Sequence, residues 1–316
     1  MDANSPLEQG QPLYTVATSG VTTGLPPPNE DEKFPCKDLT GQVKKLDNHY
    51  FDYGGFSDVY KGVWIESPGV ERRVAIKVLR GVTGNKDILE KTKRRLNRES
   101  RLWQSLRHKH VLRFIGICGG LGPSPALISP FCEFGHVLNY LRNYPEVRRR
   151  PIILGVAEGI QYLHSRNVIH GDLKSHNVLI NEAGSPVLCD FGCSKILEVR
   201  GFTTSFAGAY RYMAPELFTS MIDPEADVNP VLTKETDIYS FSMVCVEILT
   251  GKIPYPNIRN EFTIARKVPD GLRPVKVDAG IHSESDDIWP LLEECWDVDP
   301  STRPLINVVV HRMLQC

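Results

Sequence analysis

The feature that most constrains the fold of this chain is a change in its hydrophobic pattern near residue 134. Between residues 50 and 79, apolar residues come in short runs separated by turn residues such as Ser67-Pro68-Gly69, which predicts three antiparallel strands. Further elements are predicted by the same criteria: a helix at 86–106, strands at 113–118 and 125–131, and helices at 136–143, 151–165, 234–250, 286–296 and 304–314. The chain is therefore predicted to be an α+β protein, in which a small sheet-rich part precedes a larger, mostly helical part.

Residues 1–43 show neither helical nor strand periodicity. They are rich in Gly, Pro, Ser and Thr and include Pro26-Pro27-Pro28. Such a composition buries too little apolar surface to offset the conformational entropy that folding removes. We therefore expect a disordered leader at 1–43, with docking onto a partner as the alternative, and a folded domain at 44–316.

The bulk composition argues against several classes of partner. The chain has 37 basic and 38 acidic residues, so its net charge of -1 offers no general attraction to nucleic acid or anionic membranes. No apolar run approaches the ~18 residues that span a bilayer. Eight cysteines form neither a CxxC pair nor a cluster with zinc-ligand spacing. We expect reduced thiols and a cytoplasmic protein, with the nucleus as an alternative compartment.

One block of polar residues points to chemistry. It reads His170-Gly171-Asp172-Leu173-Lys174-Ser175-His176-Asn177 and is followed by Asp190-Phe191-Gly192. Asp172 can orient a hydroxyl nucleophile and accept its proton, while Asn177 and Asp190 can supply oxygen ligands to Mg²⁺. Each of these residues alone is commoner as a turn former, so the joint spacing carries the prediction of phosphoryl transfer.

The order of motifs across residues 50–316 resembles a eukaryotic protein kinase domain. The block above is joined by Val74-Ala75-Ile76-Lys77 upstream and by Ala214-Pro215-Glu216, Asp237 and Arg303 downstream. The resemblance implies a two-lobed protein kinase fold, with an N-lobe of one antiparallel sheet and one helix at about 44–131, a hinge at about 129–135 and a mostly helical C-lobe at about 134–316. It also implies a buried Glu216–Arg303 ion pair and an Asp237 that supports the catalytic loop.

The same resemblance implies ATP and Mg²⁺ as cofactors and assigns residues to them. Lys77 would hold the α and β phosphates and pair with Glu99, for which Glu90 is the local competitor. Asp172 would be the catalytic base and Lys174 would reach the γ-phosphate, while Asn177 and Asp190 would bind the metal. The remaining residues implied to line the nucleotide site, with Ser129 as gatekeeper, are Phe51, Gly54, Gly55, Val59, Ala75, Ser129, Pro130, Cys132 and Leu179.

Lys174 favours serine and threonine substrates, and Cys295-Trp296 resembles the tyrosine kinase-like group. The resemblance therefore implies a Ser/Thr protein kinase acting on protein substrates, as a monomeric catalytic domain. Two alternatives stay open: a kinase-like scaffold without activity, and a small-molecule phosphotransferase, since such enzymes also carry a His-Gly-Asp sequence.

The chain departs from the family pattern at the phosphate loop, at Gly171 and at Ala209, which stands where Ser/Thr kinases usually have a threonine that bonds the catalytic Asp and Lys. The phosphate loop GxGxxGxV keeps one motif glycine, and Asp52 brings a negative charge near the expected phosphates. Gly171 replaces the arginine that in many kinases meets an activation-loop phosphate. Our hypothesis is that activity does not depend on phosphorylation of Thr203, Thr204 or Ser205.

Overall fold

An antiparallel sheet forms the first half of the fold. The computed structural model describes residues 36–53, 57–79, 100–122, 124–191, 210–222, 231–276 and 287–315. Within them the sheet strands are β1 Val43–Lys45, β2 Asp52–Tyr53, β3 Ser57–Ser67, β4 Val70–Leu79, β5 Gly116–Cys118 and β6 Ala126–Pro130. Their order is β1-β3-β4-β6-β5, and β2 also pairs with β3.

The two faces of β4 have different environments. Val74, Ile76 and Val78 are buried against the core of the sheet, while Ala75 and Lys77 between them are only partly buried. This alternation follows from the two-residue period of a strand. It directs Lys77 away from the apolar core and toward the helical half of the molecule.

The packed part of the chain begins before the predicted boundary at residue 44. Leu39 is fully buried, and its N–H donates to the carbonyl of Ile117 at 2.8 Å. Leu39 and Val43 are too few buried residues to produce a periodic pattern, so hydrophobic periodicity does not reveal this packing before residue 44. The remainder of the predicted leader, residues 1–35, lies outside the described residues.

The second half is mostly helical, which confirms the predicted α+β class. Its helices are α1 Val137–Asn143, α2 Arg149–Ser165, α3 Pro215–Ile222, α4 Lys234–Thr250, α5 Glu261–Lys267, α6 Trp289–Cys295 and α7 Ile306–Gln315. Two short strands, β7 Val178–Ile180 and β8 Pro186–Leu188, form a separate antiparallel hairpin. Residues 100–105 are helical and are the described part of the helix predicted at 86–106.

Helix α4 is the central element of this half. Thr233 and Thr236 form a reciprocal capping box at its start, and Gly251 ends it in the left-handed conformation at φ 67°. Residues along almost its whole length are buried, including the acidic Asp237 and Glu247. In the part of the chain that the structure describes, neither α4 nor any other helix is long and apolar enough to cross a membrane.

Candidate active site

The loop that follows α2 is tied to the central helix through Asp237. The buried Asp237 carboxylate accepts hydrogen bonds from the backbone N–H groups of His170 and Gly171, at 2.8 and 2.9 Å. It also lies 2.8 Å from Nε2 of His164. The supporting role predicted for Asp237 is thereby confirmed, because these contacts fix the loop from its first residues.

Gly171 occupies a backbone conformation that explains its identity. Its φ is 74°, in the left-handed region that glycine adopts without a steric penalty. Gly171 therefore allows this loop conformation, and it also removes the positive charge of the arginine that the kinase pattern has at this position.

The polar residues of the loop converge on Asp172. Nζ of Lys174 donates to the Asp172 carboxylate at 2.8 Å, and Nδ2 of Asn177 donates to the same carboxylate at 3.0 Å. Nδ2 of Asn177 also donates to the backbone carbonyl of Asp172 at 2.6 Å. These two donors orient the carboxylate. The Asp172 side chain is still 37% exposed, so a substrate can reach it.

Asp190 connects this loop to the sheet. It has a φ of 59°, an uncommon value for a residue other than glycine. Its Oδ1 accepts a hydrogen bond from Nζ of Lys77 at 2.5 Å. Burial would raise the pKa of Asp190, but Lys77, together with Lys174, lowers that pKa below its ordinary value. Asp190 is therefore ionised at neutral pH.

Asn177 and Asp190 meet where the β7–β8 hairpin leaves the loop. The N–H of Cys189 donates to the carbonyl of Asn177 at 3.0 Å, which sets Asp190 beside the asparagine. Because Nδ2 of Asn177 is used by Asp172, its side-chain oxygen is the atom left to face a cation. A carboxylate and an amide oxygen form a suitable donor set for Mg²⁺.

The predicted adenine site lies where the sheet joins the helical half. Ala75 is opposite Ser129 in the β4–β6 pairing, and Leu179 forms an isolated bridge with the residue after the hinge, His136. Pro130 follows Ser129 at the end of β6, and Cys132 is buried in the hinge with its thiol pKa raised to about 12 by burial. Val59 lies in β3, and the exposed Phe51 packs edge-on against Phe131 at 5.4 Å.

The structure thus brings most of the predicted residues to one cleft. Three of them, Gly54, Gly55 and Glu99, lie outside the described residues, as do the three activation-loop hydroxyls at 203–205. The pairing predicted between Lys77 and Glu99 therefore stays a prediction.

A cluster of three aromatic rings behind the site was not predicted from the sequence. Phe191 packs edge-on against Trp103 at 5.8 Å and against His170 at 6.2 Å. His170 is fully buried, and burial lowers its pKa, so its ring is neutral at pH 7. This ring cluster joins helical residues 100–105 to the loop, a contact that the spacing of apolar residues along a helix does not predict.

The predicted Glu216–Arg303 pair is confirmed. Nη1 and Nη2 of Arg303 donate to the two carboxylate oxygens of Glu216 at 2.7 and 2.8 Å. The hydroxyl of Tyr212 donates to the buried Glu247, and the hydroxyl of Ser175 lies 3.4 Å from the Tyr212 hydroxyl. Burial raises the pKa of Glu247. This buried cluster, which joins the loop to α4, was not predicted.

Comparison with known proteins agrees with this geometry. A family model described as "Protein tyrosine and serine/threonine kinase" matches residues 48–313. The chain is 29% identical to the serine/threonine-protein kinase STY17 of Arabidopsis thaliana, over 83% of the chain and 43% of that protein. It is 30% identical to STY46 of the same plant, over 98% and 50%, and 28% identical to mitogen-activated protein kinase kinase kinase 13-A of Xenopus laevis, over 82% and 25%. The chain spans half or less of the length of each of these relatives.

Proposed function

Since this chain belongs to the protein tyrosine and serine/threonine kinase family, we propose that it transfers the γ-phosphate of ATP to serine or threonine hydroxyls of protein substrates. The observation that carries the proposal is the joint geometry of three polar contacts. Lys77 meets Asp190 at 2.5 Å, and Asp172 is held by Lys174 and Asn177. Phosphoryl transfer needs these groups together, whereas a binding module has no use for all of them.

Each residue has a role in this mechanism. Asp190 and Asn177 would hold Mg²⁺, which supplies positive charge against the phosphate oxygens. Lys77 would bind the α and β phosphates. Asp172 orients the substrate hydroxyl toward the γ-phosphorus and accepts its proton as the new P–O bond forms and the bond to ADP breaks. Lys174, beside Asp172, would bind the transferring phosphate.

Protein rather than small-molecule substrates are supported by the Glu216–Arg303 pair. It anchors α3, which follows the segment on which kinases seat a peptide, and a small-molecule phosphotransferase has no need of that anchor. The printed names of the plant relatives support serine and threonine as acceptors. The free thiols of the six described cysteines fit the reducing cytoplasm that we propose as its location.

The test is a labelled γ-phosphate transfer assay with Mg²⁺. We expect the wild type to label serine and threonine of a generic protein substrate and to leave choline and aminoglycosides unlabelled. Asp172→Asn and Lys77→Met should each lower transfer by at least about 100-fold, since each removes a group used at the reacting phosphate.

An exposed carboxylate outside the cleft provides the control. Asp270→Asn should retain the wild-type rate. Absence of transfer by the wild type at all metal and ATP concentrations would favour the scaffold alternative, and labelling of choline or an aminoglycoside would favour the small-molecule one.

A further inference from the structure

Asp52, which replaces the first glycine of the phosphate loop, has a partner on the other side of the cleft. Its Oδ2 lies 2.9 Å from Nε2 of His136, and Nδ1 of His136 lies 2.7 Å from the backbone carbonyl of His176. The two side chains belong to different halves of the molecule, since Asp52 is in β2 and His136 directly precedes α1.

These contacts define the protonation state of His136. A carbonyl oxygen only accepts hydrogen bonds, and so does an ionised carboxylate. Both ring nitrogens must then donate, which requires the imidazolium form with its positive charge.

The pair lies across the nucleotide cleft. In the sheet, Asp52 is directly opposite Val59, and Val59 is directly opposite Lys77. Directly opposed residues of antiparallel strands share one face, so Asp52 is on the cleft face with Lys77, about 10 Å away across two strand spacings. On the opposite side, His136 forms its backbone bridge with Leu179. The Asp52–His136 pair therefore connects the two sides of the proposed adenine site, the sheet at Val59 and the helical half at Leu179.

The charge of Asp52 matters at this distance. Two unit charges about 10 Å apart interact strongly enough to change affinity about 2- to 16-fold, for effective dielectric constants of about 80 to 20. An uncompensated carboxylate on this face would therefore repel the triphosphate that Lys77 is proposed to hold.

We propose that His136 is a positioning residue for the nucleotide, which holds the Asp52 carboxylate across the cleft and neutralises its charge so that an anionic nucleotide can bind. This inference rests on the proposed function, because it takes ATP as the ligand of the cleft.

The electrostatic surroundings support this role. The hydrogen bond that His136 shares with the Asp52 carboxylate raises the pKa of His136 above its ordinary value, against the effect of burial. The ring of His176 also faces that of His136, with 5.4 Å between the two centroids.

The experiment measures binding, by calorimetry on the full chain, of Mg·ATP and separately of adenosine. His136→Gln keeps a hydrogen-bond donor of similar reach and removes the charge. We expect it to weaken Mg·ATP binding about 3- to 10-fold and to change adenosine binding less than about twofold, because adenosine carries no phosphate charge. The double variant Asp52→Asn with His136→Gln should return to within about twofold of the wild type, since the repelling carboxylate is gone.

A surface pair of the same kind is the matched control. His49 and Asp47 are 3.1 Å apart with side chains 92% and 63% exposed. His49→Gln should leave both affinities unchanged.

Three results would overturn the inference: unchanged Mg·ATP affinity in His136→Gln, an equal loss for adenosine, or no recovery in the double variant. Absence of ATP binding by the wild type would overturn it together with the proposed function. The expected binding pattern without phosphate transfer would support it and contradict only the proposed function.

Discussion

Asp237 shows how much of the active site depends on one buried residue. Its side chain is 2% exposed, and it holds two backbone N–H groups of the catalytic loop and faces the ring of His164. Asp237 thus acts on catalysis indirectly, by positioning the backbone that carries Asp172.

We expect Asp237→Ala to lower the free energy of unfolding by about 2 kcal/mol or more, because it removes the acceptor of the His170 and Gly171 N–H groups and the buried contact with the His164 ring. Phosphate transfer should fall with it. Urea unfolding of the variant beside exposed Asp270→Ala measures the cost, and the control should lie within about 0.5 kcal/mol of the wild type. Equal stability of the two variants would contradict the supporting role.

Packing between elements depends on Arg303, which precedes α7. Besides its two bonds to Glu216 at the start of α3, it donates to the carbonyl of Glu235 in α4 and to that of Asp297. Its side chain is fully buried. One guanidinium therefore joins three segments of the C-lobe, and its fork-shaped donor geometry matches the carboxylate of Glu216.

The chain contains a second bidentate pair with which to compare it. Arg312 donates to both carboxylate oxygens of Glu294, but its side chain and that of Glu294 are 38% and 48% exposed. We expect Arg303→Ala to cost about 3–5 kcal/mol of unfolding free energy, since it removes a fully buried guanidinium with its two bonds to Glu216 and its bonds to two backbone carbonyls. Arg312→Ala should cost about 0–1 kcal/mol because solvent screens the exposed pair.

Chemical denaturation of both variants tests this difference between two pairs of similar hydrogen-bond geometry. A similar cost for the two substitutions would show that burial of the pair is not what stabilises the C-lobe.

At the scale of the whole molecule, two of the ion pairs found among the described residues join the sheet-rich lobe to the helical lobe. Lys77–Asp190 joins β4 to the end of the β7–β8 hairpin, and Asp52–His136 joins β2 to the start of α1. Both connect the lobes by charge rather than by apolar packing. We therefore expect the contact between the lobes to depend on pH, through His136.

The sign of the pH effect follows from the raised pKa of His136. A base whose pKa is higher in the folded state contributes stability that is complete below its ordinary value of about 6.5 and is lost as pH rises through the folded value. We expect the melting temperature of the wild type to exceed that of Asp52→Asn at pH 6, and this difference to shrink as the pH rises above about 6.5. Thermal scans of both proteins from pH 6 to pH 9 provide the measurement, and a constant difference would contradict the charged pair.

Long elements and spaced motifs could be predicted without a structure. Helix α4 was predicted at its observed bounds, 234–250, and α2 within two residues, because long runs give clear periodicity. Helices α3 and α5 and strands β7 and β8 were missed, although α1 and α6, which are equally short, were predicted, because segments of three to eight residues show a periodic pattern only in favourable cases.

The chemistry that this chain can perform was readable from residue identities along the chain. The spacing of Lys77, Asp172, Asn177 and Asp190 carries the kinase interpretation, because it matches the order of the family motifs and phosphoryl transfer uses a cation, a base and metal ligands together. Pairs of side chains that meet only through the packing of distant segments could not be predicted from the sequence. Asp52 and His136 are 84 residues apart, and Tyr212 and Glu247 are 35 apart. The local sequence determines which charged groups the chain contains, whereas the packing of the sheet against the helices determines which of them meet. From the sequence, Asp52 was predicted to bring a negative charge near the phosphates, and only the structure shows that it pairs with His136.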